Sequence, residues 1–88
     1  MKKYYVYILR CKGNNLYIGF TSNLKRRLSD HKSGNGCLFT KNKLPVKLVY
    51  YEKFNDFMRA KNRENQIKGW NRKKKENLIK YNHPAGIV

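Results

Sequence analysis

Acidic residues are scarce in this chain. Asp30, Glu52, Asp56, Glu64 and Glu76 are its five carboxylates in 88 residues, against 21 lysines and arginines, for a formal charge of +16. So few acids make a carboxylate-rich two-metal centre hard to assemble. Cysteine is nearly absent: Cys11 and Cys37 are too few for a disulfide framework and match a reducing cytoplasm. With His31 and His83 they make a nominal Cys2His2 set, yet no Cys-x-x-Cys or His-x-His pair supplies the close spacing of a structural zinc site. Long apolar runs are missing too. The longest is the strand-like Tyr4 to Leu9, so no segment spans a bilayer, and the N-terminus has no signal-peptide apolar core. Neither a broad amphipathic face nor a lipidation signal offers a membrane anchor. With no repeat, linker or low-complexity segment, the chain reads as one domain over residues 1–81 and a frayed tail over 82–88.

What is present argues for a folded, basic domain. Hydrophobic residues make up 40% and aromatics 14%, enough for one modest core. The basic residues run from Lys2 to Lys80 and do not gather in a tail, which fits a polyanionic partner, nucleic acid above all. Nothing calls for an obligatory protein partner. Affinity for such a partner should be dominated by phosphate contacts and fall steeply with salt.

Lys3 to Cys11 is dense in tyrosine, valine, isoleucine and leucine, and predicts a strand buried on both faces. Gly13-Asn14-Asn15 is turn chemistry, and Leu16 to Phe20 completes a hairpin. With those three residues as the loop, Cys11 would face Tyr17 and Leu9 would face Gly19, placing Tyr7 and Tyr17 on one face. Ser22 or Asn23 caps a helix that runs to about Ser33 and stops at Gly34. Leu24, Arg27, Leu28 and His31 share one stripe of it, where a merely solubilising charge would not be placed. Gly34 to Leu44 reads as a polar loop, and Val46 to Phe54 as a third strand. Asn55 or Asp56 caps a second helix to Lys68, with Phe57, Ala60, Glu64 and Ile67 on its apolar period. Asn71 starts a third, with Leu78 and Ile79 inward. The expected fold is α/β (α+β), a small mixed or antiparallel three-stranded sheet flanked by helices.

The ordered series Tyr5-Val6-Tyr7, Tyr17-Ile18-Gly19, Arg27, His31 and Glu64 resembles the signature of the GIY-YIG nucleases, from about Tyr4 to about Leu78. It looks most like the small stand-alone members. The resemblance implies metal-dependent endonucleolytic hydrolysis of DNA, more than RNA. Tyr7 would be the general base, Tyr17 would orient water or phosphate, and Glu64 would hold one divalent ion, Mg2+ or Mn2+. Arg27 offers a charged planar fork that matches phosphate, with Arg26 beside it. His31 would hydrogen-bond a tyrosine or the phosphate, and Asn77 resembles an asparagine that some members carry. Lowering a free phenol from about pKa 10 to neutrality asks for roughly 4 kcal/mol; a metal, Arg27, His31 and the positive field push that way. Gly19 is retained, and a side chain there would block close approach of a phosphate or neighbouring backbone. The motif's first glycine is Tyr5 here, and Phe20 follows the second triplet.

Each residue also has a structural reading. Tyrosines are ordinary sheet material, Arg27 could pair with Asp30, His31 could be a polar helix end, Asn77 could be an exposed helix residue, and Glu64 could pair with a lysine. The rival function is a non-catalytic nucleic-acid-binding module. Without a helix-turn-helix, zinc finger or arm to read a groove, and with tyrosines interleaved among basic residues, single-stranded or branched DNA is the expected substrate.

Overall fold

Three strands carry the molecule: β1 (Tyr4–Cys11), β2 (Asn15–Thr21) and β3 (Val46–Phe54), in the order β2-β1-β3. The computed structural model describes residues 2–82. Both pairings are antiparallel, which decides between the two sheet types the sequence allowed. As the central strand, β1 is buried on both faces: Val6 and Ile8 point one way, and Tyr7, Leu9 and Cys11 the other.

The hairpin register differs from the expected one. The chain reverses through Lys12–Asn14, where Gly13 (φ 77°) and Asn14 (φ 66°) take left-handed backbone, so the loop sits one residue earlier and Asn15 already belongs to β2. Cys11 therefore faces Asn15, Leu9 faces Tyr17, and Tyr7 faces Gly19. The slip is two residues, an even number, so every side chain keeps its face and Tyr7 and Tyr17 still share one.

Among the described residues four α-helices cover the sheet: α1 (Leu24–Lys32), α2 (Leu38–Lys41), α3 (Phe57–Lys68) and α4 (Arg72–Tyr81). Asn23, Asp56 and Asn71 cap α1, α3 and α4, each side-chain oxygen accepting from the backbone N–H three residues on. After α1, Gly34 takes φ 86° and turns the chain away. The segment expected to be all loop contains α2, a single turn closed by the Lys41 N–H donating to the Cys37 carbonyl (2.9 Å). A turn this short lacks the apolar periodicity that would announce it.

On one face, Ala60 and Ile67 of α3 and Leu78 of α4 close over Val6, Ile8 and Ile18. Ile79 is partly buried beside them. On the other face, Leu24 and Leu28 of α1, with Leu44, cover Tyr7, Leu9, Cys11 and Val46. Each fully buried aliphatic side chain contributes roughly 1.5–3 kcal/mol. The result is a slab of 35 × 34 × 19 Å. Asn82 ends α4 at φ 58°; the rest of the expected tail, with His83 and Pro84, lies outside the described residues.

Candidate active site

The β1–β2 pairing sets Tyr7 directly opposite Gly19, and the phenol ring lies across that glycine. A Cβ on Gly19 would meet Tyr7 Cζ at 2.2 Å and its hydroxyl at 2.3 Å. Gly19 is thus required by the tyrosine itself. Tyr7 is 1% exposed, and its hydroxyl lies 2.9 Å from His31 Nε2.

His31 is fully buried, because Leu24, Leu28 and the stripe they share turn it toward the sheet. Its Nδ1 lies 2.8 Å from Thr40 Oγ1, and the Thr40 hydroxyl donates to the Cys37 carbonyl (3.4 Å). The imidazole thus bridges the Tyr7 and Thr40 hydroxyls, one ring nitrogen to each. Tyr7, His31, Thr40 and Cys37 form one continuous hydrogen-bonded chain. Gly36 packs on the imidazole: a Cβ there would be 2.2 Å from His31 Nδ1.

Tyr17 completes the cluster, its ring centroid 6.3 Å from that of Tyr7, 5.1 Å from His31 and 5.8 Å from Phe39. The Arg27 guanidinium, one turn before His31, faces both phenol oxygens and favours their ionised forms. No ion pair joins it to Asp30 among the described residues. Arg26 is exposed and shares with Arg27, Thr21, Ser22, Asn23 and Asp30 a shallow hollow of about 220 Å³ beside the cluster.

Burial governs protonation here. It pushes the Tyr7 phenol up to about 12, against the pull of Arg27. The expectation of a phenol lowered toward neutrality is therefore reversed in the free protein. Burial also raises Tyr17, with Cys37 adding to it. His31 is lowered, first by burial and then by Arg27, so the imidazole is neutral and supplies no positive charge to Tyr7.

Glu64 sits where the apolar period of α3 placed it, 4% exposed between Ala60 and Ile67. Its oxygens pair with Lys61 Nζ (2.9 Å) and Lys68 Nζ (3.0 Å). Burial acts to raise this carboxyl, but the two lysines outweigh it and hold it below the usual carboxylate range. The helix α3 lies over β1 and β2 on the face opposite Tyr7, so the fold places Glu64 in the other layer from the tyrosine cluster. Asn77 is half-buried on α4, in that same layer.

Among the described residues no group of three or more His, Cys, Asp or Glu forms a metal cage. A buried, ionised carboxylate whose counter-charges are two long, half-exposed lysines does fit one hard cation, because both ammoniums can swing into water when it arrives.

Thr40, Gly36 and Cys37 join the cluster with almost no sign in the sequence that they would. They lie in a polar segment with no periodicity, and only the path of the chain past His31 gives them a role. The glycine-containing composition of that segment is the one available signal.

Comparison with known proteins agrees with this geometry. Residues 3–77 match the family described as the GIY-YIG catalytic domain. The chain is 44% identical over 79 residues to UPF0213 protein SH2523 of Staphylococcus haemolyticus, covering 90% of this chain and 96% of that one. It is 46% identical over 83 residues to a UPF0213 protein of Syntrophus aciditrophicus, covering 93% and 95%. The solution NMR structure of UPF0213 protein BH0048 from Bacillus halodurans superposes with a TM-score of 0.60 at 37% identity, over 89% of this chain and 83% of that one. That of EF2693 from E. faecalis gives 0.62 at 36%, over 91% and 85%. Antiparallel sheet, paired tyrosines and inward helix residues thus converge with these matches: the chain belongs to the GIY-YIG family, as a small single-domain member similar to the UPF0213 proteins.

Proposed function

We propose that this protein is a divalent-metal-dependent DNA endonuclease, hydrolysing phosphodiester bonds at Tyr7, Tyr17, Arg27 and His31 and preferring single-stranded or branched DNA. The observation that carries the reading is the buried hydrogen-bonded chain from Tyr7 through His31 to Thr40. A wholly buried imidazole hydrogen-bonded to a phenol beside an arginine supports a proton path; packing alone would be served by a leucine.

In this reading Arg27 grips phosphoryl oxygens, with Arg26 and Gly19 flanking the strand. Attacking water gives its proton to the Tyr7 oxygen as the Tyr7 proton passes to His31 Nε2. The phenol at about 12 then never has to exist as a free phenolate, a state that costs roughly 7 kcal/mol at pH 7. Arg27 disfavours a charged His31 in the free protein. A bound phosphate offsets Arg27, so the imidazole becomes a better base once substrate is present. Glu64, across the β2 edge of the sheet from the tyrosines, would hold one Mg2+ or Mn2+, which would supply charge neutralisation to the bound strand. Tyr17 orients the water, and Asn77 is a further substrate contact in this reading. The free thiols of Cys11 and Cys37 suit the cytoplasm as its compartment.

One observation favours the rival reading, a non-catalytic nucleic-acid-binding module: both oxygens of Glu64 are engaged by lysines. Incubating the purified protein with circular single-stranded and circular duplex DNA, with Mg2+, with Mn2+ and with chelator, separates the two. Ion-dependent cutting, faster on the single strand, is expected. Tight binding with no cutting in either ion would establish the binding module instead.

A further inference from the structure

The row of side chains that holds Tyr7 continues past it. On β3, Tyr51 pairs with Tyr7 and Lys53 pairs with Tyr5, so these residues stand on the same sheet face as the cluster, on the side away from Gly19. There, between α1 and β3, lies a cleft of about 480 Å³, within the size range of small-molecule sites. Leu28 and Leu48 form its apolar floor, and Tyr5 and Tyr51 form an aromatic wall with ring centroids 6.2 Å apart. Tyr51 is 53% exposed. Lys25 and Lys53 stand at the rim, and neither meets a carboxylate among the described residues. Ser22 and Asn23 line both this cleft and the hollow that contains Arg27, so the two are continuous around the start of α1.

We propose that the cleft between α1 and β3 is a nucleotide subsite, in which one unpaired base of a nucleic-acid strand stacks on Tyr51 and Tyr5 while Lys25 and Lys53 hold its flanking phosphates. An aromatic wall gives a sequence-tolerant surface for any base, and unpaired lysines beside it match the phosphates on either side. The departure of Tyr5 from the motif glycine thereby gains a use: it builds half of the wall. A base in a duplex is stacked and paired and cannot enter, so the subsite selects single strands. The inference rests on the proposed function only in placing the strand at Arg27.

The test is equilibrium binding in chelator, where no cutting contributes, of a short oligothymidylate and of an abasic chain with the same number of phosphates. Tyr51→Ala should weaken oligothymidylate binding roughly 5- to 150-fold, Tyr51→Phe should bind like wild type, and neither should alter affinity for the abasic chain. The double variant Lys25→Gln/Lys53→Gln should flatten the log-log salt dependence by about 0.7 for each phosphate left without its lysine; this measurement decides the matter should Tyr51→Ala fail to fold. Unchanged oligothymidylate affinity in Tyr51→Ala, an equal loss on both chains, or an unchanged salt slope in the lysine variant would overturn the proposal. So would a sedimentation profile showing a dimer that Tyr51→Ala dissociates, which would assign the cleft to a second copy of the chain. Cutting is assayed separately with Mg2+: its absence, alongside the expected binding pattern, would retire the nuclease reading and leave the subsite standing.

Discussion

Tyr7 lies flat across Gly19, so near that a methyl group on the glycine would stand 2.2 Å from the phenol Cζ. The two residues face each other in the β1–β2 ladder, and the ring can reach His31 only because its neighbour has no side chain. Gly19→Ala should therefore displace the ring, break the 2.9 Å contact with His31 and abolish cutting. Overpacking of this kind costs about 1–3 kcal/mol, measurable by urea unfolding. A variant with wild-type stability and wild-type cutting would mean that the ring has room to spare.

In the proposed proton path Thr40 Oγ1 accepts from His31 Nδ1–H, leaving Nε2 to accept from Tyr7. Thr40→Val keeps the shape but leaves the buried Nδ1–H without a partner, at a cost of about 1–3 kcal/mol. Cutting should fall with it, since the imidazole is then free to turn its donor nitrogen toward Tyr7. Thr40→Ser should restore most of both losses. Failure of serine to rescue would point to the missing methyl group rather than the hydroxyl.

Stability should fall on mild acidification. Burial holds the folded His31 below its ordinary value of 6.5. The unfolded chain consequently takes up a proton at this residue while the folded one still refuses it. The contribution is fully present above 6.5 and is lost as the pH drops from there toward the folded value. In His31→Gln the slope of unfolding free energy against pH in that window should shrink. An unchanged slope would assign the effect to other groups.

Glu64→Gln should remove ion-dependent cutting while DNA affinity in chelator holds steady or tightens slightly, because one charge that repels phosphate is gone. Glu64→Ala should stay folded and within about 1 kcal/mol of wild type, since its partners are half-exposed lysines free to turn into water. Persistent cutting by either variant would rule out Glu64 as the ion's holder; unfolding of both would make it a structural ion-pair partner.

How much of this was legible in the sequence follows from the range of each interaction. β1 and β3 were readable because density of branched and aromatic residues is a local property, and so were the caps at Asn23, Asp56 and Asn71. The shared face of Tyr7 and Tyr17 depends only on strand parity, which is why it holds although the register differs from the expected one. Arg27 and His31 needed only helical spacing. The hidden parts are tertiary. The register turns on which residues adopt positive φ at the tip, and Thr40 and Gly36 matter only because the segment after α1 folds back over His31. The elevated Tyr7 phenol reflects enclosure between the sheet and the layer formed by α1 and the segment after it, which no spacing rule records.

A slab 19 Å thick has a broad rim, and basic side chains from Lys2 to Lys80 are spread over both of its layers. A polyanion meets attraction from almost any direction of approach, so first contact needs little orientation and is governed by diffusion and ionic strength. On the proposed function, discrimination is deferred to the residence that follows, as the strand slides until an unpaired stretch finds the tyrosine row. In kinetic terms, good and poor substrates should differ in how long they stay, not in how fast they arrive.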